Sequence, residues 1–173
     1  MKSLKTVVYE LLSPSEILER VEDIQLEALI AKGYRALFLD IDNTLVSLKE
    51  RNLSLQKLNW LSKAKALGFE VFFVSNNRSQ RRIERFCKQA EVTGVYRAWK
   101  PFVYALQELA GEKGIDLEKS VVVGDQLLTD VILGRWVRAH TVLVDPIDKR
   151  LSFIKAVQRE IEMTLIRNIQ RRR

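Results

Sequence analysis

One cysteine, one histidine, three prolines and seven glycines are all that 173 residues contain of those types. A lone cysteine, Cys87, can close no internal disulfide and supports no multi-cysteine zinc site, so the chain suits a reducing compartment. Cys87 itself reads as a small, half-buried hydrophobe, and the solitary His140 as structural. Scarce Pro and Gly, with 47% hydrophobic and 29% charged residues, exclude a disordered or fibrous chain. No apolar run approaches the roughly 20 residues that a membrane-spanning helix needs. The start, "MKSLKTVVYELLSPSE", lacks the apolar core and small-residue cleavage site of a secretory signal. The expected location is cytoplasmic, with a peripheral place on the inner face of the cell membrane left open.

What is present is a basic chain of net charge +7, long enough for one domain with a real core. The charge favours anionic partners without choosing among them. Ser13-Pro14-Ser15-Glu16 predicts a capped helix start, with the helix running to about Gly33. Beyond it, "RALFLD", "FEVFFVS", "GVYRAW", "SVVVGD" and "AHTVLVD" read as strands. Between them lie helical stretches: "SLQKLNWLSKAKALG" with Leu55, Leu58, Leu61 and Leu67 at helical spacing, "RSQRRIERFCKQA", "PFVYALQELAGEKG" opening on Pro101, and "LLTDVILGRW". A last helical stretch begins near Leu151. Short apolar strands alternating with helices predict an α/β doubly wound, Rossmann-like parallel sheet with helices on both faces. Such sheets bind ligands outside the carboxyl ends of their strands.

Polar residues gather at that edge: Asp40, Ser75, Lys100 and Asp125 each close a predicted strand. Asp40 and Asp42 lie two apart on an extended segment and so share a face. Two crowded acids repel unless a cation sits between them or one carries a proton. With no His or Cys cluster nearby, the oxygen donors suit Mg²⁺. A Mg²⁺, Lys100 and the Ser75 hydroxyl form a site for a phosphoryl group, helped by free N–H groups where the next helix starts, at Asn76 and beyond. Asp40 would attack phosphorus to give an aspartyl-phosphate, and Asp42 would protonate the leaving oxygen and then activate water. Thr44 and Asp130 are expected to position the others.

"DIDNTLV", "VFFVSN", Lys100 before Pro101 and "GDQLLTD" resemble, in order, the four motifs of the haloacid dehalogenase (HAD) superfamily, over about residues 35–145. The resemblance implies Asp40 as nucleophile, Asp42 as acid and base, and Ser75, Asn76 and Lys100 on phosphate. It further implies Asp125, Asp40 and the Asp42 carbonyl on Mg²⁺, and Asp130 orienting Lys100. "LDIDNTLV", "VSNN", "GDQLLTD" and "VDPI" are similar to the YqeG-like branch, related to phosphatidylglycerophosphate phosphatases. This implies removal of the terminal phosphate to give phosphatidylglycerol. About 30 residues between Thr44 and Ser75, and 25 between Ser75 and Lys100, leave no room for an inserted cap domain. An open site suits a lipid headgroup or macromolecule.

Two rivals stand beside that reading. One keeps the chemistry but changes the substrate to a phosphoprotein, nucleotide or small metabolite; the other is a binding or regulatory protein without turnover. Arg78, Arg81, Arg82, Arg85 and Lys88 read first as a solvated helix face and second as a docking surface for anionic membrane. Nucleic acid is not expected, because no reading motif accompanies the charge. Ile154, Val157, Ile161 and Leu165 predict an amphipathic C-terminal helix packed on the sheet, with "RRR" favouring membrane contact as the rival. The N-terminal "LKTVVYELL" could likewise touch a membrane, and Trp99 reads as packing.

Overall fold

The computed structural model describes residues 4–148, so the expected C-terminal helix and its arginines lie outside the described residues. Six strands form one all-parallel sheet: β1 (Glu16–Leu18), β2 (Ala36–Leu39), β3 (Glu70–Val74), β4 (Thr93–Val95), β5 (Ser120–Gly124) and β6 (His140–Val144), in spatial order β1-β6-β5-β2-β3-β4. The helices are α1 (Leu4–Leu12), α2 (Leu26–Ala31), α3 (Leu55–Ala66), α4 (Gln80–Ala90), α5 (Tyr104–Lys113) and α6 (Ile132–Trp136).

The strands are apolar throughout because both of their faces are covered. Leu37, Leu39, Val71, Phe73, Val121 and Val123 join one core with Leu26 and Leu29 of α2, Trp60 and Leu61 of α3, and Ile83 and Phe86 of α4. Phe38, Phe72, Val74 and Val122 point the other way, onto Leu106 and Leu109 of α5 and Leu133 of α6. Period-two alternation in strands that look uniformly hydrophobic thus builds two cores. The chain runs outward from β2 to β3 and β4, then returns to lay β5 against the other side of β2. That reversal opens a crevice between the carboxyl ends of β2 and β5.

Several expectations need correction. The predicted helix from Ser13 to Gly33 is replaced by β1, a short 3₁₀ turn over Val21–Asp23, and α2, which keeps only its last part. The Ser13 hydroxyl donates to the Tyr9 carbonyl at 2.7 Å, closing α1 from behind instead of capping a new helix. Residues 16–18 then pair with β6, Ile17 opposite Leu143, and Glu16 meets His140 Nε2 at 3.0 Å where a capping role was expected. A free edge on β6 outweighed local capping signals. β4 also ends earlier than expected, at Val95, so Lys100 closes no strand. It arrives on a loop in which Arg97 and Trp99 adopt positive φ, before a cis Lys100–Pro101 bond; α5 starts at Tyr104, after Pro101. Trp99 is 63% exposed and does not pack. In α3 the buried face is Trp60, Leu61 and Ala64, while Leu55 stays in water at the first turn.

Candidate active site

The sheet fixes the first acid. The Asp40 N–H donates to the Val123 carbonyl at 2.9 Å, continuing the β2–β5 ladder one residue past the strand. Its side chain therefore leaves the sheet at the crevice. The chain then turns back sharply, with the Leu45 and Val46 N–H groups on the Ile41 carbonyl and the Asn43 N–H on the Val46 carbonyl. Asn43 sits at φ 67°, a conformation that Asn tolerates better than most residues. This turn sends Asp42 to the same end of the sheet.

Lys100 Nζ donates to Asp40 Oδ1 at 2.6 Å and to Asp130 Oδ1 at 2.7 Å, and all three residues are buried. Asp130 Oδ2 accepts the Gln126 N–H at 3.1 Å. Gly124 explains the spacing of "GDQLLTD": a Cβ there would collide with the Asp130 carboxyl. Asp125 follows directly, and one carboxylate oxygen each from Asp40, Asp125 and Asp130 lies within 4.8 Å of the others. Burial pushes the Asp40 carboxyl up, to about 7; Lys100 opposes this, and Asp130 and Asp125 add to it. Burial alone would lower Lys100, but Asp130 and Asp40 outweigh it and the net direction is up, so the lysine stays cationic.

Asp40 Oδ2 is buried with no hydrogen-bond partner. An unbonded carboxylate oxygen among crowded acids is costly in water-poor surroundings, and a hard divalent cation relieves it. The residues present therefore fit Mg²⁺. The converging carboxylates are Asp40, Asp125 and Asp130, whereas the Asp42 side chain is directed elsewhere. Asp42 Oδ1 accepts from Arg82 Nε at 3.0 Å and Nη2 at 2.8 Å, and Oδ2 from Asn77 Nδ2 at 2.7 Å. Arg82 is itself anchored on the Glu50 and Ser47 carbonyls.

Ser75 is buried at the end of β3, and its hydroxyl accepts the Asn77 N–H at 3.1 Å. The Asn76 side chain clasps the backbone of Lys100: Nδ2 donates to its carbonyl at 3.0 Å and Oδ1 accepts its N–H at 2.6 Å. Asn76 thus holds the Lys100 loop. Thr44 is buried with Oγ1 unbonded. Sequence reasoning missed Asn77 and Arg82. Asn77 stands two residues past Ser75, and Arg82 three past the Ser79 cap of α4, but nothing local says that either reaches Asp42.

A family model described as HAD-hydrolase-like matches residues 98–146. The chain is 31% identical over 159 residues to the "Probable phosphatase YqeG" of Bacillus subtilis (strain 168), covering 92% of each protein. The chain belongs to the HAD superfamily, in its YqeG-like branch. It is a HAD phosphatase. Solved structures share the fold at low identity. A HAD family enzyme from Bacteroides thetaiotaomicron, in complex with magnesium and inorganic phosphate, aligns with TM-score 0.55 and 12% identity over 67% of this chain and 96% of that one. The cobalt-bound deoxy-D-mannose-octulosonate 8-phosphate phosphatase of Haemophilus influenzae aligns with TM-score 0.53 and 14% identity over 64% and 68%.

Proposed function

We propose that this HAD phosphatase is a Mg²⁺-dependent phosphomonoesterase that works through an aspartyl-phosphate on Asp40, with phosphatidylglycerophosphate as its substrate at a membrane surface. The observation that carries the chemistry is the split environment of Asp40, whose Oδ1 is held by Lys100 while Oδ2 stays unbonded among buried acids. Asp40, Asp125 and the Asp42 carbonyl would hold the ion, and Mg²⁺ as that ion is supported by the magnesium in the Bacteroides enzyme of the same fold. When bound, Mg²⁺ supplies positive charge against the acids and the phosphoryl oxygens.

Asp40 attacks phosphorus while the bond to the leaving oxygen breaks, and that oxygen takes its proton from Asp42. In the second half Asp42 accepts a proton from water, whose oxygen displaces Asp40 and frees inorganic phosphate. Lys100, held by Asp130, stabilises charge on the phosphoryl oxygens together with Ser75 and the Asn76 N–H. Asn77 and Arg82 set where the Asp42 carboxylate rests between these steps.

The lipid assignment is supported by aromatic side chains around Lys100. Trp99, Phe102 and Tyr104 are all well exposed, on the loop that delivers Lys100 and the helix start that follows. Such side chains beside a phosphate site, on a chain of net charge +7, suit the boundary of an anionic bilayer. Each crossover from β2 to β5 among the described residues is built around one α-helix, and an open mouth admits a headgroup still anchored in a membrane. The test compares phosphate release from phosphatidylglycerophosphate in anionic vesicles with release from a soluble aryl phosphate. Preference for the vesicles, and a fall in that preference in Trp99→Ala/Phe102→Ala, is expected. Equal turnover of both substrates by the wild type would sink the lipid assignment.

A further inference from the structure

Beyond Asp42 lies a pocket of about 480 Å³ whose walls include Lys49, Arg51, Ser79, Arg81, Arg82 and Arg85, five of them cationic, with no acid in the lining. Nearby carboxylates are turned to other work. Glu50 Oε2 accepts the Ser47 N–H at 2.6 Å, and Glu84 Oε1 accepts from Gln80 Nε2 at 2.7 Å. Among the described residues, Lys49, Arg51, Arg81 and Arg85 have no carboxylate within ion-pair distance. The positive end of α4, eleven residues long, faces the same place, since Ser79 is its N-cap. Arg82 has Asp42 as its counter-charge, but the other four cations have none among the described residues; like charges so gathered repel, and a bound anion relieves them.

Arg82 joins this pocket to the reaction centre, because the guanidinium that lines it also binds Asp42. We propose that the pocket is a second anion subsite, which takes a phosphodiester or second phosphate carried on the same substrate molecule as the phosphate that is cleaved. The inference rests on the phosphatase reading and deepens it, and it holds whether or not the substrate is embedded in a membrane. A volume of this size accommodates a phosphate group with its neighbouring carbons. Guanidinium groups bind phosphate oxygens in pairs, which gives geometric selection as well as charge. A substrate with one anion uses half of such a site.

Two soluble esters test it with the full chain: glycerol 3-phosphate, with one phosphate, and glycerophosphoglycerol phosphate, with a cleavable phosphate and a phosphodiester. The wild type is expected to prefer the second by about tenfold or more in kcat/KM, Arg81→Ala/Arg85→Ala to lose most of that preference through KM, and the double lysine variant to recover part of it. Equal proportional losses on both esters would overturn the subsite. Calorimetric binding of glycerophosphoglycerol, which has no cleavable phosphate, gives a readout free of turnover. It is expected to weaken about tenfold in the alanine variant, and unchanged binding would refute the assignment. If glycerophosphoglycerol instead raised turnover of glycerol 3-phosphate, the pocket would serve a separate effector and the proposal would fail. Preference for the two-anion ester without turnover of the vesicle lipid would sink the lipid reading alone.

Discussion

Asp130 does two things with one carboxylate: it fixes Lys100 and takes the Gln126 N–H. It reaches Lys100 only because position 124 carries no side chain. Gly124→Ala is therefore expected to keep the fold, displace Asp130 and lower kcat on the order of 10²-fold through misplacement of Lys100. Steady-state kinetics beside a circular dichroism spectrum checks this, and a native spectrum with undiminished kcat would count against it. Asp42→Asn, by removing the proposed proton donor, is expected to cost on the order of 10²-fold in kcat. Arg82→Met keeps that carboxylate but frees it from its anchor, and a fall in kcat of about tenfold on a one-anion ester, more than any change in KM, is expected. A change confined to KM would show that Arg82 serves binding alone. Asp40, Asp125 and Lys100 stood out in the sequence as charged residues beside apolar runs, a type unsuited to a core, whereas spacing by two did not place the Asp42 side chain, because β2 ends at Leu39 and the turn after it carries that carboxylate to Asn77 and Arg82. Arg82 was not legible, because a basic helix reads as a solvated face until the fold brings its first turn to Asp42, Ser47 and Glu50.

Elements were legible where period and burial agreed, as in β2, β3 and β5. They were misread where a sheet edge decided the outcome. Ser13, Pro14 and Glu16 form a sound local signal for a helix start, yet Ser13 closes α1 and the chain then joins the edge of β6, with the Ser15 N–H on the Thr141 carbonyl and Glu16 on His140. The stretch from Tyr96 to Trp99 reads as strand because Tyr96 and Trp99 favour strands and continue the run from Val95, while its positive φ values at Arg97 and Trp99 leave no local trace. The β1–β6 junction has a pH signature. Burial pushes the His140 imidazole below its ordinary 6.5, and Glu16 opposes this only in part. The unfolded chain thus binds a proton near pH 6.5 that the folded chain resists, so this group's contribution is lost as pH falls below that point. Melting temperatures of the wild type should drop relative to His140→Gln between about pH 8 and about pH 5.5. A difference that stays constant across that range would remove His140 from the acid response.

At the scale of the whole molecule, the switch between β2 and β5 gathers acids into the crevice, while the basic pocket opens beside it. No helix among the described residues is long and apolar enough to cross a membrane. A net charge of +7 should raise the encounter rate with anionic substrates, and salt should screen it. For a soluble phosphoester, kcat/KM is expected to fall severalfold as ionic strength rises from about 0.05 M to about 0.5 M, with kcat little altered. A flat profile would mean that the charge does not guide substrate.

Everything proposed for the chemistry depends on Asp40 as the atom donor to phosphorus. The most direct measurement is phosphate release from phosphatidylglycerophosphate in mixed micelles with Mg²⁺, for the wild type and Asp40→Asn side by side at matched folding. Release by the wild type and none above background by the variant is expected; release by Asp40→Asn at a comparable rate would contradict the covalent role of Asp40.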